Sequence, residues 1–153
     1  MRRKEREIVD IVDIEEIIKK VKVCRIGLVD GEEPYVVPVF FGYERGALYF
    51  HSALEGRKVD VIKKNNRVCF EIESDVEVIG ADEPCRWAAK YRSVMGVGRA
   101  YFLEKAEEKV HGLSVLMRHY GESKSDLYFV RLDEILVVKI EVEHIVGKKA
   151  RYD

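Results

Sequence analysis

Apolar residues at Ile14, Ile17, Ile18 and Val21 recur at helical spacing, and Asp13 with Glu16 ahead of them has the form of a capping box, so a first helix of about two turns is predicted there. The period then shortens to two. Residues 22–29 and 35–41 alternate as strands around a turn at Asp30-Gly31, and Pro38 inside the second belongs at an edge or a bulge because it cannot donate to a ladder. Glu44-Arg45-Gly46 turns the chain into "ALYFHS", residues 47–52, after which Gly56, Arg57 and Lys58 open a short helix. Residues 67–74 and 91–104 read as strands, with 80–90 between them a loop or a short helical excursion. Ala106, Val110, Leu113 and Met117 mark a helix that stops at Gly121, and residues 134–149 close the chain as a strand. A helix, then hairpin-linked strands with one late helix, predicts a small α+β barrel and not a doubly wound sheet.

At 153 residues the chain is expected to form a single domain, 1–153, with no internal repeat. The 27 Lys and Arg nearly balance the 28 Asp and Glu, which argues against a nucleic-acid or anionic-membrane partner. Charges interrupt every apolar run near the start, so neither a secretory signal nor a membrane span is expected. Cys24, Cys69 and Cys85 lie too far apart for a zinc site and read as buried thiols of a cytoplasmic protein. Gln is absent and Asn occurs only at 65 and 66 beside abundant Lys and Glu, a composition expected of a thermophile.

The start of the second helix raises the chemical question. Arg57 and Lys58 stand where peptide dipoles already leave partial positive charge, and a bound phosphate would reverse that conflict, with helix amides, Gly56 and the Ser52 hydroxyl completing a cradle. Equally, Ser52 and Glu55 satisfy a capping box, and both cations could extend into solvent. The residues alone leave the two readings open. His51 sits at an alternating position next to Ser52, so the two face one pocket only if the strand breaks between them, and a break is expected there. His111, His119 and His144 have no ligand spacing and read as surface or packing residues; no metal site is expected. "GVG" at 96–98 lacks a third glycine and a following helix, so it reads as a place where another backbone passes closely. Phe40, Phe41, Tyr43, Tyr49 and Phe50 read as core or subunit interface.

"YVVPVFFGYERGALYFHSALEGRK", then "RVCFEIES" and "YRSVMGVGRA", resembles the flavin-binding split-barrel superfamily of pyridoxamine 5'-phosphate oxidase, and within it the nitroimidazole-resistance-like branch. The resemblance spans about 23–103, with "EHIVGKK" near the end. It implies a six-stranded antiparallel split β-barrel of Greek-key form with flanking helices. It also implies a homodimer with FMN at the interface, and a small-molecule electron acceptor such as a nitro compound. Gly56-Arg57-Lys58 takes the place of the family's phosphate-holding Ser-Arg-Lys, and Arg92-Ser93-Val94 followed by Gly98 partly matches its Arg-Gln-Val and Gly. The cofactor contacts so implied are Val37, Pro38, Val39, Phe50, His51, Ser52, Arg57, Lys58, Arg92, Ser93 and Val94, with His51 as the catalytic residue. The oxidase's C-terminal Arg- and Trp-containing segment has no counterpart in "EVEHIVGKKARYD", which argues against vitamin B6 oxidation itself. The reading of another class is a non-catalytic FMN carrier or sensor, or a haem protein ligated through His51.

Overall fold

Asp10, and not Asp13, opens the first helix. In the computed structural model, which describes residues 3–152, the Asp10 carboxylate accepts from the Val12 amide at 2.9 Å and its backbone stays extended, the geometry of an N-cap. Asp13 becomes a first-turn acid that complements the helix dipole. Helix α1 (Ile11–Lys20) buries Ile14, Ile17 and Ile18 as the spacing predicts.

A two-residue strand β1 (Glu7–Ile8) precedes α1. After it come β2 (Val23–Asp30), β3 (Glu33–Phe40), β4 (Gly42–Glu44) and β5 (Ala47–Ser52). The chain continues through α2 (Arg57–Lys64), β6 (Arg67–Ile79), β7 (Ala88–Phe102), α3 (Ala106–Tyr120) and β8 (Leu136–Ala150). All pairings are antiparallel, in the order β3-β2-β6-β7-β8-β5-β4, with β1 added on β8. The six long strands are those of the expected split barrel; β1 and β4 are short additions. The two ends of this path, β3 and β4, are separated in the chain by Phe41 alone, yet no ladder joins them. The sheet is open there, and Phe41 between the two strands is buried in the core.

Local chemistry accounts for the turns. Gly31 (φ +66°) closes the β2–β3 hairpin, and Arg45 (φ 48°) with Gly46 (φ +78°) make the two-residue β4–β5 turn, whose positive φ values match strand twist. Pro38 pairs with Arg25 on the edge strand, as a residue without an amide hydrogen requires.

Strands β6 and β7 run further than expected, to Ile79 and back from Ala88, beyond a register shift between Ser74 and Glu77. Their ends form an arm with Val76 and Val78 exposed; the Val76-Glu77-Val78 alternation is present in the sequence, but its apolar positions meet no core. A single 3-10 turn, Pro84–Arg86, lies at its tip.

Two of the three cysteines are not buried. Cys24 is in the core, but Cys69 is on the outward face of β6 and Cys85 in the tip turn. Glycine marks the close packing: a Cβ on Gly98 would lie 2.1 Å from the Glu141 carbonyl oxygen, and one on Gly42 would lie 2.6 Å from Leu116 Cα, where α3 docks. Helix α3 ends at Gly121 in the left-handed region (φ +107°). Among the described residues no helix is long and apolar enough to cross a membrane.

Candidate functional site

The β5–β8 ladder continues regularly through His51 opposite Val137 and Ser52 opposite Leu136, so the expected break between His51 and Ser52 does not occur. Strand β5 ends directly after Ser52 instead. That end is enough to let both residues line one depression, about 470 Å³, together with Tyr35, Gly56, Arg57 and Lys58. The Ser52 to Glu55 capping box is not formed either. Gly56 is the N-cap, at φ +129°, and no side chain caps the helix. The first intrahelical bond is Val59 N to Gly56 O at 2.9 Å, so the amides of Arg57 and Lys58 precede the ladder and are available to an anion.

The two cations do different work. Arg57 donates through Nε to Asp30 at 2.9 Å and through Nη2 to Glu33 at 3.2 Å, and its guanidinium lies 4.5 Å from the Tyr35 ring centroid. The Asp30 hydrogen bond and the charges of Asp30 and Glu33 hold its pKa above the ordinary value. Lys58 is half-buried with its ammonium 5.5 Å from the Phe50 ring centroid, and among the described residues it has no ion pair. Desolvation lowers its pKa, as for a cation short of a counter-charge. The sequence marks Asp30 only as a turn residue and Tyr35 only as the start of a strand, and gives Glu33 no role. The acids flanking Gly31 were the available signal, and nothing local tied them to Arg57.

The remaining expected contacts divide. Val37 is half-buried and Pro38 exposed on β3, while Val39, Phe50 and Val94 have their side chains in the core, which leaves only backbone to meet a ligand. Arg92 and Ser93 are not brought to the α2 depression. Arg92 pairs with Lys149 on β8 and Ser52 with Leu136, thirteen residues apart, about 43 Å of strand. Arg92 instead donates to Asp75 at 2.9 Å, lies 4.0 Å from the Tyr152 ring and lines a separate polar cavity of about 390 Å³. Within one chain the two groups form two places.

From Tyr35 the depression passes into a trough along the outward face of the sheet. Its middle, about 360 Å³, is bedded on Gly27, Val36, Cys69 and Val97. Its far end, about 520 Å³, adds Arg25, Glu71, Met95 and His144. Arg25 donates to Glu71 at 3.3 Å and lies 3.1 Å from Glu73. Burial and the Glu73 charge raise the Glu71 pKa against the opposing effect of Arg25. A flat apolar bed with a cationic, amide-rich end fits an elongated planar ligand carrying a terminal anion. Among the described residues no group of three or more His, Cys, Asp or Glu could hold a metal ion.

A model of the pyridoxamine 5'-phosphate oxidase family matches residues 10–149. The chain belongs to that family. A candidate 5-nitroimidazole antibiotic resistance protein from Bacteroides thetaiotaomicron is 35% identical, with 94% of this chain and 86% of that one covered and a TM-score of 0.81. Two more distant structures share the fold. The flavocytochrome Anf3 from Azotobacter vinelandii is 18% identical, TM-score 0.82, over 99% of this chain and 72% of its own. The FAD and haem binding protein from Mycobacterium smegmatis is 14% identical, TM-score 0.85, over 96% and 74%. No curated protein matches the chain significantly. The family assignment agrees with the resemblance carried by "YVVPVFFGYERGALYFHSALEGRK", including its nitroimidazole-resistance-like branch.

Proposed function

We propose that the chain is a flavoprotein that binds FMN and passes electrons from the reduced flavin to a small acceptor such as a nitro compound. The observation that carries this reading is Lys58: a half-buried ammonium without a carboxylate partner among the described residues, beside an uncapped helix start, at the polar end of an apolar trough. A phosphate there would supply the missing counter-charge and accept from the free amides. The names of the structural neighbours, a flavocytochrome, an FAD and haem binding protein and a nitroimidazole resistance protein, support a flavin and a nitro acceptor.

The flavin, when bound, supplies the redox chemistry; the chain holds it and manages protons around it. Lys58 and the α2 amides would hold the phosphate, with Ser52 donating from its hydroxyl. His51 is exposed on the same depression, placed to hand a proton to an acceptor. Arg92 and Ser93, remote from Lys58 in their own chain, would contribute from a second copy, and Val36 (62% exposed), Met95 and Val97 on the outward face give a homodimer apolar surface to cover.

The visible spectrum of the purified protein, followed by titration with FMN and FAD, tests this reading. Flavin absorption near one FMN per chain, with FAD the weaker ligand, is expected because no adenosine site is legible beyond the Lys58 end. A Soret band without flavin would replace the reading with haem ligation through His51, and tighter FAD binding would overturn the mononucleotide assignment.

A further inference from the structure

The β6–β7 arm is tied down on one side and bare on the other. Beyond the bulge at Asp75 (φ 54°) it continues as a two-stranded hairpin, a unit that is at best marginally stable alone. On one side the body holds it. The Tyr152 hydroxyl donates to the Asp75 carbonyl at 2.8 Å, Arg92 and Lys90 lie 4.0 and 4.2 Å from the Tyr152 ring centroid, and Lys20 reaches the Asp75 carboxylate at 3.4 Å. At the tip the Trp87 indole donates to the Ala81 carbonyl at 2.7 Å and packs over Gly80. The arm is thus fixed in place while Val76 and Val78 stand 62% and 67% exposed.

Register decides which side is bare. Lys90 and Arg92, two apart on β7, share the Tyr152 side, and so does Glu77, which pairs with Lys90. Ala89, Tyr91, Ser93, Met95 and Val97 alternate onto the other side, where Val78 pairs with Ala89. Met95, Val97 and Val146 line the trough, and Lys148, two beyond Val146 on β8, has its ammonium 5.3 Å from the Tyr91 ring centroid. The arm therefore carries the apolar outward face on past the barrel. Ser93, 9% exposed, stands midway: Tyr91 and Met95 are two residues from it, and the pairs Val78-Ala89 and Cys69-Val97 are centred four residues from it. A two-fold axis lying across the strands at Ser93 would set Tyr91 on Met95 and Val78 on Cys69 in both directions, so the surface that complements this face is a second copy of it.

We propose that the arm of each copy lies over the trough of a second copy, with Val76, Val78 and Tyr91 roofing the bed formed by Cys69, Met95 and Val97. Sheets packed face to face stand about 10 Å apart, which leaves a planar ring room between the two sets of side chains. Each ligand pocket is then complete only in the pair. The nature of the ligand rests on the flavin reading; the docking of arm on trough rests on the two faces of one sheet.

Cross-linking of the full chain tests the docking. Val78→Cys in a Cys85→Ser background is treated with a short bismaleimide and run on a denaturing gel. Positions 69 and 78 of one chain are about 30 Å apart along β6, beyond such a linker, so a link between them joins two copies. A covalent dimer is expected from Val78→Cys, but neither from Cys85→Ser alone nor once Cys69→Ser is added. Val76→Glu with Val78→Glu is expected to give a folded monomer by circular dichroism and analytical ultracentrifugation, and to lower FMN affinity about tenfold, as for one valine side chain no longer buried. Glu77→Gln, on the tied side, should do neither. A covalent dimer through Cys69 in a chain that takes up no FMN would sink the flavin reading and uphold the docking. No covalent dimer, one that forms without Cys69, or a double Glu variant that still dimerises would overturn the docking. A monomeric double Glu variant with the parent FMN affinity would overturn the roof.

Discussion

Arg57 and Asp30 are joined by a 2.9 Å ion pair across two elements, so the first cation of α2 clips the helix start to the β2–β3 hairpin while its neighbour Lys58 has no counter-charge among the described residues. Adjacent residues of the same charge thus have separate tasks. Lys58→Ala is expected to lower FMN affinity at least tenfold, because charge-assisted hydrogen bonds contribute about 1.5–3 kcal/mol, and the deficit should shrink at high salt. Arg57→Ala should lower it less. Fluorescence titration of FMN at low and high salt checks both, and equal losses would show that Arg57 leaves Asp30 to hold the phosphate.

His51→Ala is expected to retain FMN but to slow reduction of a nitroaromatic acceptor by about 10²–10⁴-fold, the usual cost of losing a general acid. Single-turnover kinetics on the flavin-loaded variant measures it. Turnover at the parent rate would remove His51 from the proton path.

Thiol labelling separates the cysteines. Burial pushes the Cys24 thiol up to about 12, whereas Cys69 and Cys85 are exposed. A maleimide is expected to modify Cys85 readily and Cys24 only in denaturant, with Cys69 slowed by the flavin and second subunit proposed to cover its face, read by mass spectrometry. Three rapid modifications in the folded protein would contradict the placement of Cys24 in the core.

Stability should fall on acidification through His119. Its ring nitrogen donates to the Val21 carbonyl at 2.6 Å, and its ring packs 4.7 Å from that of Phe41. Burial, with the Lys22 charge, lowers its pKa below the ordinary 6.5 despite the opposing hydrogen bond. Because folding favours the neutral ring, this stabilisation is complete above about pH 6.5 and is lost as pH falls through the lower folded value. Urea denaturation across this range, compared with His119→Gln, should show a decline in the parent that the variant lacks. Parallel profiles would exclude His119 as its source.

Gly42→Ala is expected to destabilise the fold by about 1–3 kcal/mol, since its methyl group would meet the α3 backbone at Leu116 and not a side chain that could turn aside. Thermal denaturation measures this, and an unchanged midpoint would mean that α3 shifts freely on β4.

What the sequence determined by itself is local. The turns at Gly31 and Gly46, the stop at Gly121, the edge position of Pro38 and the burial of Ile14, Ile17 and Ile18 follow from backbone sterics and apolar period, which act within a few residues. The α2 start was legible as a conflict between charge and dipole, and the quoted motif as a family. Tertiary structure decided the rest. Arg57 meets Asp30 across 27 positions, and Arg92 is carried thirteen residues of β8 away from Ser52. Ladder register and helix docking set these relationships, and both depend on which distant strand is the neighbour, a quantity that periodicity along one strand does not contain.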